Sequence, residues 1–141
     1  MTIQPQTAIT IGVLLLALVT VESGGYFLTR VVRGHVEANL LQRNFYRAGH
    51  AHAAVLLVLG MVILLATDLA GFTDGWLAWL ARTLVPIAAI LMPAGFFLSV
   101  LGTDPQRPNR LIVLLWLGAV SLTVGLSIAG VGMIVAGASA V

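Results

Sequence analysis

Two histidines, His50 and His52, stand two residues apart at the start of a long apolar run, and a glutamate, Glu22, stands inside another. Ionisable groups are costly in hydrocarbon, so within membrane segments each asks for a function and a partner. On a helix, positions i and i+2 point roughly 200° apart. The two rings therefore look in nearly opposite directions and cannot both ligate one ion, which would need i, i+3 or i, i+4 spacing. One can face the bundle interior while the other faces a neighbouring helix, another subunit or a second cofactor. Arg47, three before His50, shares its face. His52 shares a face with Ala48, Val55, Leu56 and Leu59, an apolar wall suited to the flat face of a porphyrin or to an apolar substrate.

Glu22 has three readings. It pairs with Arg47 or a histidine and locks two helices together, it carries a proton, or it accepts a hydrogen bond that orients a ligating histidine. Tyr26 lies one turn beyond it. Arg82 is read as a structural cation that pairs with Asp68 or Asp74 or snorkels to the interface. His35 falls in a polar loop and is read as solvated. Met61, Met92 and Met133 sit in separate apolar stretches and read as core filler. No Gly-rich phosphate loop, Ser-His-Asp arrangement or carboxylate cluster for a hard cation is present, and no catalytic residue is identified. With no cysteine among the 141 residues, thiolate sites and disulfides are excluded.

These side chains need elements to hold them, and composition says which. Hydrophobic residues make up 60% of the chain and charged ones 9%, too few charges to cover a soluble domain of this size. A bilayer core needs roughly 20 apolar residues per helix. Four runs qualify, at about 7–29, 45–67, 76–101 and 110–137, giving an all-α four-helix membrane bundle as one domain over residues 1–141. Pro86 and Pro93 fall inside the third run, where a membrane helix tolerates them. The N-terminal segment lacks the charged region and cleavage site of a removable signal peptide.

All seven basic residues are arginine, and six of them (Arg30, Arg33, Arg43, Arg47, Arg107 and Arg110) flank the first and third loops. The second loop carries Asp68 and Asp74 and no cation. The positive-inside rule then puts loops one and three in the cytoplasm and both termini outside a plasma (inner) membrane. The same rule accounts for the arginines without nucleic acid. Trp76 and Trp79 fall at the outer interface. In the fourth run Gly118, Gly125 and Gly132 recur every seven residues beside Ser121 and Ala129, a small-residue seam for packing within the bundle or between copies.

The stretch Phe45-Tyr46-Arg47-Ala48-Gly49-His50-Ala51-His52-Ala53-Ala54, leading to Gly60-Met61-Val62, resembles the start of the second helix of styrene oxide isomerase, a small four-helix membrane enzyme family with the motif W-A-R-A-H-S-G-P-A-L-N-G. Ala94-Gly95-Phe96-Phe97-Leu98-Ser99 with Pro108-Asn109-Arg110 is similar to that family's G-F-Y-L-F-S and P-N-R. The resemblance implies a homotrimer, with heme b between protomers near the cytoplasmic side and one histidine as ligand. An ungapped match puts that ligand at His52; a gapped match puts it at His50. Arg47, Glu22 and Tyr26 are the further candidates around the cofactor. The chain departs from the family where an asparagine becomes Val58 and where the active-site tyrosine falls on Phe96 or Phe97. The His-x-His also resembles, over one helix, segments of heme-copper oxidases and nitric oxide reductases. Two functions are therefore expected. One is a heme-b membrane protein, isomerase-like or a redox or gas-binding relative, with room for a small apolar ligand. The other is a cofactor-free membrane protein that uses Glu22, His50 and His52 for proton-coupled transport or for assembly into a larger complex.

Overall fold

The structure is a computed structural model and describes residues 3–139. Helix makes up 81% of it, and no described residue is in a strand. The helices are α1 (Pro5–Val32), α2 (Leu40–Leu69), α3 (Gly75–Leu98) and α4 (Val113–Ala138), the last entered through one 3₁₀ turn, Arg110–Ile112. Each of the four is long and apolar enough to cross a membrane. They correspond to the four runs read from sequence; α1 ends three residues later than expected, and two other shifts have local causes. α2 starts five residues earlier than its apolar run, because Asn39 and Gln42 form a capping box: the Asn39 side chain accepts from Gln42 N at 2.9 Å, and Gln42 Oε1 accepts from Asn39 N at 3.1 Å. α3 stops at Leu98 because the next stretch folds back, with Asn109 N donating to Ser99 O at 2.7 Å.

The order in space follows the order in sequence. α1 packs on α2, α2 on α3 and α3 most closely on α4, while α1 and α4 do not pack along one another. The bundle is thus open. Within the apolar eighteen-residue stretch of each helix, 33% of α2 and 39% of α3 are buried, against 6% of α1 and 11% of α4. Neighbours run antiparallel: Gly24 meets His50 while Gly60 meets Leu14.

The seam of α4 is used within the bundle. Gly118 receives Met92, Gly125 receives Leu84 and Val85, and Gly132 receives the ring of Phe72. Ser121 Oγ donates to Leu84 O at 2.8 Å, and Ala129 is fully buried. α3 answers with Gly95, where an added Cβ would run into the backbone nitrogen of Leu115. A backbone in contact cannot swing aside as a side-chain tip does. Gly95→Val is therefore expected to destabilise the chain by about 1–3 kcal/mol or more, read by reversible unfolding in mixed micelles. Wild-type stability would overturn this packing.

At the end of the bundle that holds the chain termini, Arg82 of α3 pairs with Asp68 of α2 and also donates to Thr7 of α1, which is fully buried. Asp68 Oδ2 takes a further bond from Gln4 N at 2.9 Å. Of the two expected partners of Arg82, Asp68 is the one used. At the opposite end loops one and three are laced together: Asn39 Nδ2 donates to Asp104 Oδ1 and Pro105 O, both at 2.8 Å, and the buried Gln42 donates to Val100 O and Gly102 O at 3.1 and 3.0 Å. This end carries six of the seven arginines. Exposed Trp76 and Trp79 lie at one end of the bundle and exposed Trp116 near the other, the spacing of an aromatic belt.

Candidate functional site

The start of α2 is positioned from two sides. On the α3 side, Gly49 lets two aromatic rings close in: a Cβ there would stand 2.8 Å from Phe97 Cε2 and 3.0 Å from Phe96 Cβ. Phe97 stacks on the buried Tyr46 with ring centres 5.6 Å apart, and Phe27 of α1 meets Tyr46 edge-on at 5.3 Å. On the α1 side, Gly24 and Gly25 lie under the ring of His50. Cβ atoms there would sit 3.4 Å from its Nδ1, and 3.5 and 3.6 Å from its Cε1 and Nε2.

The opposed directions expected of the two histidines are what these neighbours show. His50 lies against α1. His52 lies on the α3 side, its ring centre 5.0 Å from that of Phe96 at a tilt of 39°. The hydrogen bonding of the two differs. His52 Nδ1 is 2.7 Å from Ala48 O. A carbonyl only accepts, so Nδ1 carries the hydrogen, and in the neutral ring Nε2 keeps a free lone pair. A backbone carbonyl holding the far nitrogen is the usual support of a metal-ligating imidazole. Neither nitrogen of His50 has a hydrogen-bond partner among the described residues.

Between the two rings runs the exposed face of α2. Arg47 stands at its arginine-rich end, followed by Ala51, Val55, Val58 and Val62, all exposed, with Val55 at 64%. The wall expected beside His52 needs one correction. Leu56 turns into the core with Leu14, Leu57, Leu64, Ala89 and Met92, and Leu59 is half-buried. Val58 and Val62 are exposed, but they lie roughly 120° and 80° round the helix from His52. Val58, the position of the family asparagine, thus belongs to the exposed strip.

Of the three readings of Glu22, the lock between α1 and α2 of one chain is the one not formed. Glu22 is exposed and makes no hydrogen bond or ion pair with Arg47, His50 or His52 among the described residues. The Gly24–Gly25 contact turns it away from α2 of its own chain. Tyr26, one turn on, is 70% exposed. Arg47 is exposed and has no ion pair among the described residues, and His35 is exposed as expected. Met92 is buried, and Met61 and Met133 pack against the core. Sequence reasoning missed the partnership of Thr7 and Gln4 with the Arg82–Asp68 pair; their signal was depth, since both precede the first apolar turn of α1.

The donor set limits what the site can hold. No three His, Asp or Glu side chains converge to bind an ion among the described residues. A porphyrin brings four nitrogens of its own and asks the protein for one proximal ligand. One preset imidazole on the helix that carries an open strip of Ala and Val, with an arginine about one and a half turns before it that has no ion partner among the described residues, is a donor set such a group could use. No protein-family model matches the chain, and comparison with curated proteins and with solved structures gives no match.

Proposed function

We propose that the chain is a multi-pass membrane protein whose α2 would hold heme b, with His52 as the residue that would ligate its iron. The reading rests above all on the bond from His52 Nδ1 to Ala48 O, which leaves the Nε2 lone pair without a protein hydrogen-bond partner among the described residues, on a helix that also carries an exposed valine strip. Arg47, on the same strip and without an ion pair among the described residues, would take a propionate. Phe96 would keep the His52 ring from turning. When bound, the heme iron would supply Lewis-acid, gas-binding or one-electron chemistry. The chain's own part is to fix the imidazole, to exclude water with Val55, Val58 and Val62, and to keep the polar edge of the group near the arginine-rich end. The resemblance to styrene oxide isomerase points to the Lewis-acid choice, with a small apolar ligand. Val58, Phe96 and Phe97 carry no hydrogen-bonding group to orient an epoxide, which favours the redox or gas-binding choices. In this reading the arginine-rich end is cytoplasmic and both termini lie outside the plasma membrane, because six arginines gather at the end formed by loops one and three.

Hemin titration of the purified protein tests the proposal. A saturable Soret band distinct from that of hemin in detergent alone is expected. A spectrum identical to that of hemin in detergent would overturn the reading and favour the cofactor-free use of Glu22, His50 and His52.

A further inference from the structure

Arg82 is the one charged residue within α3, and it lies about 10 Å along the helix from Gly75. A guanidinium carries five N–H groups and accepts nothing. Asp68 and Thr7 take one N–H each. The others have no protein partner among the described residues. The side chain keeps 12% of its surface exposed, and it lines a cleft of about 390 Å³. Sites for small molecules occupy roughly 300–1,000 Å³.

The cleft lies between α1 and α3, which do not pack along one another. Its floor is the buried Leu64 of α2. Gln6 and Thr10 stand on the α1 wall, and Trp79, Thr83 and Pro86 stand on the α3 wall. Both threonine hydroxyls spend their hydrogen within their own helix, Thr10 on Gln6 O at 2.8 Å and Thr83 on Trp79 O. The side-chain amide of Gln6 makes no hydrogen bond among the described residues, and neither does the indole N–H of Trp79. Spare donors therefore stand on opposite walls, the Gln6 amide on α1 and the Arg82 guanidinium on α3.

The deepest polar group of the cleft only donates, so the head of a ligand must accept. Charge decides which acceptor. The Arg82–Asp68 pair is neutral as it stands. An anion would compete with the Asp68 carboxylate, whose side chain is 5% exposed and which also holds Gln4 N. Leaving that carboxylate without its cation is costly. A carbonyl takes a spare N–H and leaves the pair intact. Leu64, Pro86 and the ring of Trp79 supply apolar walls for a flat ring, and the gap between α1 and α3 gives an apolar tail a way into the bilayer.

We infer that this cleft binds a membrane-dissolved quinone, whose carbonyls on opposite edges of one ring accept from Gln6 and from Arg82 and whose tail leaves between α1 and α3. The cleft lies at the end of the bundle that holds the chain termini, and His52 lies near the arginine-rich end, so the inference stands apart from the heme proposed there.

Trp79 serves as the reporter, because quinones quench indole fluorescence. Trp76→Phe/Trp116→Phe leaves Trp79 as the single tryptophan, and Trp76→Phe/Trp79→Phe leaves Trp116, exposed near the other end. Decylubiquinone is titrated into both forms at the same detergent concentration. Saturable quenching of Trp79 and gradual, unsaturated quenching of Trp116 are expected. Gln6→Leu, made in the Trp79 form, removes one donor without touching the Arg82–Asp68 pair. It is expected to raise the half-quenching concentration roughly three- to tenfold. The anionic dihexanoylphosphatidylglycerol is expected to leave the Trp79 curve in place. Unsaturated quenching of Trp79, or a curve that Gln6→Leu does not move, overturns the inference. Displacement of the quinone by the phospholipid at comparable concentration overturns the neutral head and gives the cleft to a lipid phosphate.

Discussion

His52→Ala protein is expected to lose its Soret band, while His50→Ala protein keeps most of it. The two substitutions remove the same ring two residues apart, so helix propensity and apolarity change equally. What differs is the job of each ring. His52 has its Nδ1 tied to Ala48 O and its Nε2 free; His50 fills the space over Gly24 and Gly25. Added imidazole is expected to restore part of the band in His52→Ala, because the substitution leaves a cavity of that shape. The readout is absorbance of the two variants loaded side by side. A full band in His52→Ala with loss in His50→Ala would move the ligand to α1's side of the helix. A full band in the double variant would remove both.

Arg82→Leu is expected to be the most destabilising single change, by about 3–5 kcal/mol. It leaves Asp68, whose side chain is only 5% exposed, without its cation, and Thr7 without its donor. Removing the second charge as well, in Arg82→Leu/Asp68→Leu, is expected to return most of that loss, since an apolar pair in such a place is often neutral. Unfolding of both single variants and the double variant measures the coupling. Additive losses would contradict a paired role for the two charges.

Much of this was legible in the residues, for identifiable reasons. Hydropathy marks four spans because a bilayer demands length and apolarity and little else. The Arg82–Asp68 pair was legible because two opposite charges at one membrane depth have few other partners. The opposed directions of His50 and His52 follow from helix rotation. The outward turn of Glu22 was hidden, because α1 is apolar nearly all round and no moment says which face it buries. That choice is made by Gly24 and Gly25, which admit the ring of His50. The early start of α2 was hidden for a different reason: a capping box of Asn39 and Gln42 extends the helix through polar residues that a hydropathy window discards. Leu56 shares with His52 the side of α2 that meets α3, but its burial was not legible, because rotation gives a direction and not a neighbour. α3 reaches round far enough to bury it.

One heme is proposed at His52. The most direct measurement is the heme content of the unaltered protein, purified from membranes of cells supplied with iron and heme precursor, expressed per chain. A ratio near one heme per chain, with a Soret band, is expected. Colourless protein with no extractable heme would contradict it.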